Sequence, residues 1–436
     1  MMSTNIFLSP TNLLLSEAED DEEALLLPAV FLVVLAGIEG ARQDRIDHRH
    51  RNRLYLRRNE LLPNPRAGTP WQILWESQND RAFITTMGFD VKTFRHILEG
   101  PGRFAQRWEE TPVPRDDVST TGRPRLGGRS LNACGALGLT LHYLGSAMLE
   151  VHLQQIFALV PSTVSRYLSF SLTILHQTLA TMKEAKVSLP RTVEEFEKET
   201  RLICERHPLL EGAFGGLDGL SLTAEESDDP EMENATYNGW KSNHCINNVL
   251  AFSPQGTITM AVLNAPGSWH DSRVARPIFQ ALEHHVPDGY FLVADTAFPR
   301  GTVSIHGKIR APMKGGEYIP ADPIEQEQAL LVNRQLLSYR QTAEWGMRML
   351  QGSFGRLRVP LPISSEEKRK ELLEICVRLS NVRARCVGIN QIREVYMPTW
   401  RASEDDKLWT RLGEMVFGDI RRRDRVSRFH LVVADI

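Results

Sequence analysis

Paired cysteines are missing from this 436-residue chain: its five cysteines stand at 134, 204, 245, 376 and 386, none in a Cys-x-x-Cys pair. That spacing excludes a zinc ribbon and a disulfide framework and points to a reducing, intracellular compartment. A membrane-length apolar run is also lacking. The apolar stretch Ala24 to Ile38 covers fifteen residues, is broken by Pro28 and is preceded by acids, so it is short for a bilayer span and lacks the basic start of a signal peptide. It reads as a helix docked on the protein or on a partner, and no membrane association is expected. There is no nucleophile elbow, and Ser268, His270 and Asp271 stand too close together to form a hydrolase triad. Nor does one sign of charge dominate, since the formal net charge is −3.

What is present is local asymmetry. Residues 17–23 carry six acids and no base, residues 42–58 carry seven arginines, and Arg421, Arg422, Arg423, Arg425 and Arg428 crowd the C-terminal end. Such patches bind nucleic acid even when the total charge is near zero. The composition, 42% hydrophobic and 24% charged, is that of a globular chain of two or three domains.

Periodicity divides the chain into four parts. Residues 1–66 read as an arm, acidic then basic, disordered at its start and carrying the one apolar helix. Residues 67–188 read as helical around a Pro, Gly, Arg and Thr-rich loop at 106–130. Within them, 149–170 has the look of a helix-turn-helix, its first helix ending near Ala158 and its second opening at Pro161 or Ser162. Ser162, Thr163, Ser165 and Arg166 would then lie at an exposed helix start suited to phosphate and base-edge contacts; a plain pair of packed helices has the same spacing. From 189 to 390 the pattern turns mixed α/β: a capped helix from Thr192, a strand Ala213–Leu222, a hairpin of Asn248–Phe252 and Thr257–Asn264, a helix His270–His285, a buried strand Tyr290–Ala294 and a helix Pro323–Leu350. Residues 391–436 form a C-terminal extension.

Three carboxylates sit at or beside apolar segments of the mixed region: Asp218 in Gly215-Gly-Leu-Asp-Gly-Leu, Asp295 after Tyr290-Phe-Leu-Val-Ala, and Glu344 in the long helix. An ionised carboxylate is costly there unless a cation neutralises it. Taken singly, each has an ordinary explanation. Glu344 is spaced to pair with Arg340 or Arg348 on one helix face, Asp218 could belong to a turn, and Asp295 could cap the segment after its strand.

The segments Leu217-Asp-Gly, Tyr237-Asn-Gly-Trp-Lys-Ser-Asn-His, Pro266-Gly-Ser-Trp-His-Asp-Ser, Ala294-Asp-Thr-Ala-Phe-Pro and Ala343-Glu-Trp-Gly, followed by Gly352-Ser-Phe-Gly-Arg-Leu, resemble in kind and order the transposases of the PIF/Harbinger group, which are DDE superfamily endonucleases. The resemblance implies a ribonuclease-H-like domain over roughly 205–385, preceded by an all-α helix-turn-helix region. It implies a catalytic, metal-holding triad of Asp218, Asp295 and Glu344, using two Mg2+ ions, or Mn2+ in their place, to cut phosphodiester bonds and to join the freed 3′-hydroxyl ends. Hard oxygen ligands suit these ions, which serve both the attacking and the leaving oxygen. Asp218 and Asp295 are separated by 76 residues and Asp295 and Glu344 by 48, the latter similar to the family's usual separation.

Asp271 is read first as a helix cap and second as a support behind the metal ligands. Lys241 and His244 are candidate DNA contacts, Tyr237 and Trp240 equally candidates for packing, Lys314 a solvated lysine, and the acids from Glu225 to Glu233 a solvated loop. The first motif departs from the family's usual Asp-Gly-Thr-His and the third from its commoner Glu-Arg-Ala-Phe-Gly. The resemblance further implies double-stranded DNA as substrate, nuclear location and a separate Myb-like partner, and leaves open a homo-oligomer. Two other readings remain: a former transposase kept as a catalytically idle DNA- or chromatin-binding protein, and a nuclease acting on RNA.

Overall fold

The computed structural model describes residues 31–49, 51–115, 122–299, 305–314, 320 and 322–396, in two compact units divided between Arg57 and Arg58. The disorder expected at 1–23 and the C-terminal arginines lie outside the described residues. In the first unit a helix, α1 (31–49), runs from the expected apolar helix into residues read as the basic part of the arm. Its apolar residues Phe31, Leu32, Val33 and Val34 are exposed. No described helix is long and apolar enough to cross a membrane.

The second unit begins with short helices, because side-chain caps interrupt the chain about every ten residues: α2 (Pro70–Ser77) behind Thr69, α3 (Asp80–Met87) behind Asn79 and α4 (Val91–Leu98) behind Asp90, each cap accepting a backbone N–H of the first turn. A fifth, α5 (Phe104–Glu110), extends into the segment expected to be a loop. They surround α6 (Ala133–Gly145), which is buried on nearly all sides, as an almost uniformly apolar helix must be. Trp71 anchors this cluster, its ring within 6.2 Å of Trp75, Phe94, His142 and Phe157. Next come α7 (Glu150–Phe157) and α8 (Pro161–Thr181), joined through Ala158 in the left-handed conformation, φ 51°.

A helix, α9 (Val193–Cys204), leads into the mixed region. Thr192 caps it as expected, but Glu195 reaches back to the N–H of Arg191, one residue beyond the usual capping-box partner. The mixed sheet follows: β1 (Ala213–Thr223), then α10 (Pro230–Thr236), β2 (Tyr237–Asn238), β3 (Asn243–Phe252), β4 (Ile258–Pro266), α11 (Asp271–Val274), α12 (Arg276–His285), β5 (Phe291–Ala294) and β6 (Ile309–Arg310). Strand β3 pairs antiparallel with β1, β4 and the short β2, whereas β5 pairs parallel with β1 and with β6. The long α13 (Pro323–Ser353), α14 (Glu366–Val382) and α15 (Gln391–Tyr396) complete the unit.

Alternation along the strands assigns the faces. Leu220, Leu222, Leu250, Phe252, Phe291 and Val293 join the core shared with α13, α14 and the helical region, whereas Leu217, Val249, Ala251, Leu292 and Ala294 join a second core with Phe196 of α9 and Ile278 and Leu282 of α12. The sheet is therefore buried on both sides, which is why its strands read as apolar runs.

Two expectations are corrected. The acidic segment after Glu225 is not all loop, because Asp229 accepts the N–H of Glu231 and Pro230 opens α10. The helix expected at His270–His285 breaks at Ala275, between α11 and α12, and its cap is His270, whose Nδ1 accepts the N–H of Ser272.

Candidate active site

Register places the first two acids. Leu217 of β1 lies beside Ala294 of β5 in a parallel pair, so the next residues, Asp218 and Asp295, emerge side by side at the carboxyl end of β5, where open α/β sheets hold ligands. From Gly216 onward the even-numbered residues of β1, and odd-numbered residues around β5, face the same core, the one that α13 covers. That helix crosses directly above β1. A Cβ on Gly216 would come within 3.1 Å of Thr342 Oγ1 and 3.5 Å of Ala343 Cβ, so the absent side chain is what lets α13 approach, bringing Glu344 to the face that carries Asp218 and Asp295.

Arg340 stands among these acids. Its guanidinium lies 3.5 Å from Asp295 Oδ1 and 3.2 Å from Glu344 Oε1, joining two carboxylates separated by 48 residues. The i, i+4 spacing of Arg340 and Glu344 is legible in sequence, whereas the bridge to Asp295 requires the fold. Both acids are about a third exposed, Asp295 at 34% and Glu344 at 39%, which leaves them accessible to a ligand.

Asp218 is the most enclosed of the three. Burial pushes its carboxyl up to about 6; the N–H of Gly219 and the charge of Arg340 oppose that rise, and the negative charges of Asp295 and Asp271 add to it. Its Oδ1 accepts the N–H of Gly219 at 2.8 Å.

Asp271 is not a cap. It occupies the first turn of α11 and brings its carboxylate against the backbone of Gly219, where a Cβ would meet Oδ2 at 2.5 Å. Residue 219 faces away from 218, so Asp271 meets β1 from the opposite face of the sheet. Burial raises its carboxyl above the usual range, with Lys241 and His270 opposing and Asp295 reinforcing the rise. Neither the glycine nor this back-to-back arrangement is signalled by spacing.

The proposed DNA contacts divide between two places. Ser162, Ser165 and Arg166 are exposed and Thr163 half-buried in the first two turns of α8. Lys241 and His244 lie beside the sheet: Lys241 Nζ donates to Ser221 Oγ, and His244 Nδ1 meets Thr236 Oγ1 at 3.0 Å while its ring packs on Tyr237. Trp240 is 96% exposed and so is not a packing residue. Lys314 is exposed, as expected for a solvated lysine.

Residues 217–381 match the family model of the DDE superfamily endonuclease. No curated protein and no solved structure matches the chain. The matched segment runs from β1 into α14 and contains all three carboxylates, and its mixed α/β sheet is consistent with a ribonuclease-H-like domain of that superfamily. A DDE endonuclease domain brings with it a transposase-type nuclease chemistry and, in general, divalent metal ions.

The residues present suit such an ion. The donors are carboxylate oxygens, the choice of Mg2+ and Mn2+, and burial, with a smaller addition from the charges of Asp295 and Asp271, makes the ionised form of Asp218 costly without a cation beside it. Among the described residues no three His, Cys, Asp or Glu side chains are drawn together at metal-ligand spacing; Arg340 supplies the positive charge between two of the acids instead.

Proposed function

We propose that this chain is a metal-dependent DNA endonuclease of the transposase type, allied to the PIF/Harbinger group, in which Asp218, Asp295 and Glu344 hold two Mg2+ or Mn2+ ions. What supports the reading is that the segment matching the endonuclease family carries Asp218 and Asp295 at the ends of neighbouring strands, with Arg340 joining Asp295 to Glu344. Bound divalent cations supply the polarisation of the attacking oxygen and the stabilisation of the leaving one. The chain's own groups set the stage. Asp218, enclosed and surrounded by like charge, gives up its proton most readily when positive charge is near, and Asp295 and Glu344 sit at the accessible edge where a phosphodiester can approach. Arg340 must release at least one carboxylate for both to serve as ligands. Asp271, behind Gly219, supports the strand that carries Asp218 and adds negative charge to the site. The proposed substrate is double-stranded DNA in the nucleus, reached with the help of a Myb-like partner and without any membrane association; a homo-oligomer fits the same reading.

Conversion of supercoiled plasmid to nicked circles in Mg2+ or Mn2+ tests it, with a duplex RNA of the same sequence run alongside. Metal-dependent nicking of DNA that each of Asp218→Asn, Asp295→Asn and Glu344→Gln abolishes is the expected result. Preference for the RNA would replace the substrate, and wild-type nicking by one variant would remove that residue from the site.

A second reading draws on Arg340. Its double contact satisfies Asp295 and Glu344 without any metal, as a domesticated, catalytically idle DNA-binding protein would require. Calorimetric titration with Mn2+ separates the two. Binding by the wild type supports the nuclease, whereas binding that emerges only in Arg340→Ala supports the idle protein.

A further inference from the structure

Away from the endonuclease-like segment, in the helical region, lies a cleft of about 890 Å³ walled by residues of 112–115 and 122–130 on one side and the first turns of α8 on the other. Among the described residues five arginines line it, Arg115, Arg123, Arg125, Arg129 and Arg166, and no acid does. Arg129 is buried, donates to the carbonyls of Trp108 and Thr111, and lies over the Trp108 ring at 4.9 Å, while the neighbouring N–H of Ser130 donates to Tyr167 Oη at 2.8 Å. These contacts make a fixed floor. At the rim, Arg123, Arg125 and Arg166 are exposed, and among the described residues none of the three has a carboxylate partner.

Like charges gathered on a fixed floor repel one another, and an anion with several charged oxygens offsets that repulsion while pairing with the guanidinium forks. We infer that this cleft is a phosphate-backbone site for duplex DNA, gripping it at a distance from the carboxylates. The polyanion is chosen on two grounds. The first turns of α8 line the cleft through Thr163 and Arg166, with Ser162 and Ser165 exposed beside them in the chain, which gives hydroxyl and guanidinium donors along one helix start, as a nucleic-acid backbone requires. The second ground, that DNA is the polymer at hand, rests on the endonuclease reading.

The test measures binding and cutting separately. Full-length protein is titrated against a fluorescein-labelled duplex by anisotropy, over about 50 to 300 mM KCl, with EDTA present to silence cleavage. For Arg123→Ala/Arg125→Ala and for Arg166→Ala, the magnitude of the log–log salt slope falls by about one for each arginine removed, at equal loss across unrelated sequences. Arg123→Lys/Arg125→Lys retains most of the slope, and matching thermal melts show that the alanine variants fold. Wild-type affinity and slope in the double alanine variant would overturn the inference. So would selective loss of binding to poly-glutamate or to inorganic tripolyphosphate with duplex binding intact, since the cleft would then serve another anion. Asp218→Asn keeps the full salt slope; if the wild type binds through the cleft yet never nicks, the nuclease reading fails and the cleft assignment stands.

Discussion

Asp218 and Asp271 are separated by one glycine's thickness of backbone and lie on opposite faces of the same sheet. Asp218 shares its face with Asp295, Glu344 and a single guanidinium; Asp271 shares its face with Lys241, Ser221 and the start of α11. Both carboxyls are raised by burial and by like charge. Similar electrostatics thus accompany two different settings, and neighbours, more than acidity, tell the two carboxylates apart. Only one side carries the three carboxylates of the proposed metal site, Asp218, Asp295 and Glu344.

The largest effect separating the two follows from replacing Asp218. Asp218→Asn lowers the nicking rate roughly a thousandfold or more, as loss of a direct metal ligand removes several kcal/mol of transition-state stabilisation, and quantitative plasmid nicking measures it. A rate within tenfold of the wild type would place Asp218 outside the site.

Proton linkage gives the next effect. The carboxyl of Asp218 moves from 3.8 to about 6 on folding, so the folded state binds this proton more tightly than the unfolded one. The contribution to stability is complete below about pH 4 and disappears as pH rises through about 6, a loss of about 3 kcal/mol. Metal-free wild type therefore loses stability relative to Asp218→Asn between about pH 4 and pH 7, which urea denaturation at several pH values detects. Added Mn2+ recovers it by binding the ionised form. Parallel pH profiles for the two proteins would contradict the burial of this group.

A third change strikes the backbone between the acids. Gly219→Ala thrusts a Cβ into the carboxylate of Asp271 and costs about 1–3 kcal/mol of stability, the usual range for overpacking. Pairing it with Asp271→Ala restores most of that loss, a double-mutant cycle that measures the contact directly. The mildest effect is expected from Asp271→Asn alone. Its nicking falls by about ten- to a hundredfold, in line with a group that supports metal ligands without touching the ion, and its Mn2+ affinity falls to match. A loss as deep as that of Asp218→Asn would erase the distinction between the faces.

Much of this arrangement is legible in the chain itself. Apolar runs bounded by turn residues locate β1 from Ala213, one residue short of its end, and the Asp322-Pro323 pair marks the start of α13 where it is found. Four of the five motifs lie on or beside strands of the sheet, and the fifth lies on α13, which packs over β1. Other features escape. The first five residues of β3 are missed because polar Asn243, His244 and Asn247 mask its period, and β6 is two residues long. Asp271 resembles a cap, since an acid in a first helical turn favours the helix dipole whether or not it bonds to the backbone; only the fold reveals that its carboxylate lies against Gly219. The bridge from Arg340 to Asp295 is invisible for the same reason, as no periodicity links residues on a strand end and a distant helix. The arginine cleft combines a loop and a helix start, each unremarkable alone.

One buried amide has a wider consequence. Asn381 of α14 accepts the N–H of Ile258 at 2.7 Å, returns a bond to the same residue's carbonyl at 2.9 Å and donates to the carbonyl of Lys186 at 3.0 Å. It impersonates the peptide group of a further strand beside β4, the outermost member of the sheet. An incoming chain finds the donor and acceptor of Ile258 already engaged, which guards that rim against strand exchange between molecules. The same amide fastens the link after α8 to the sheet. A fragment begun at 189 would leave one of its hydrogens unpaired, so the boundary between helical and mixed regions is a seam sewn through both, and expression of either half alone would expose it.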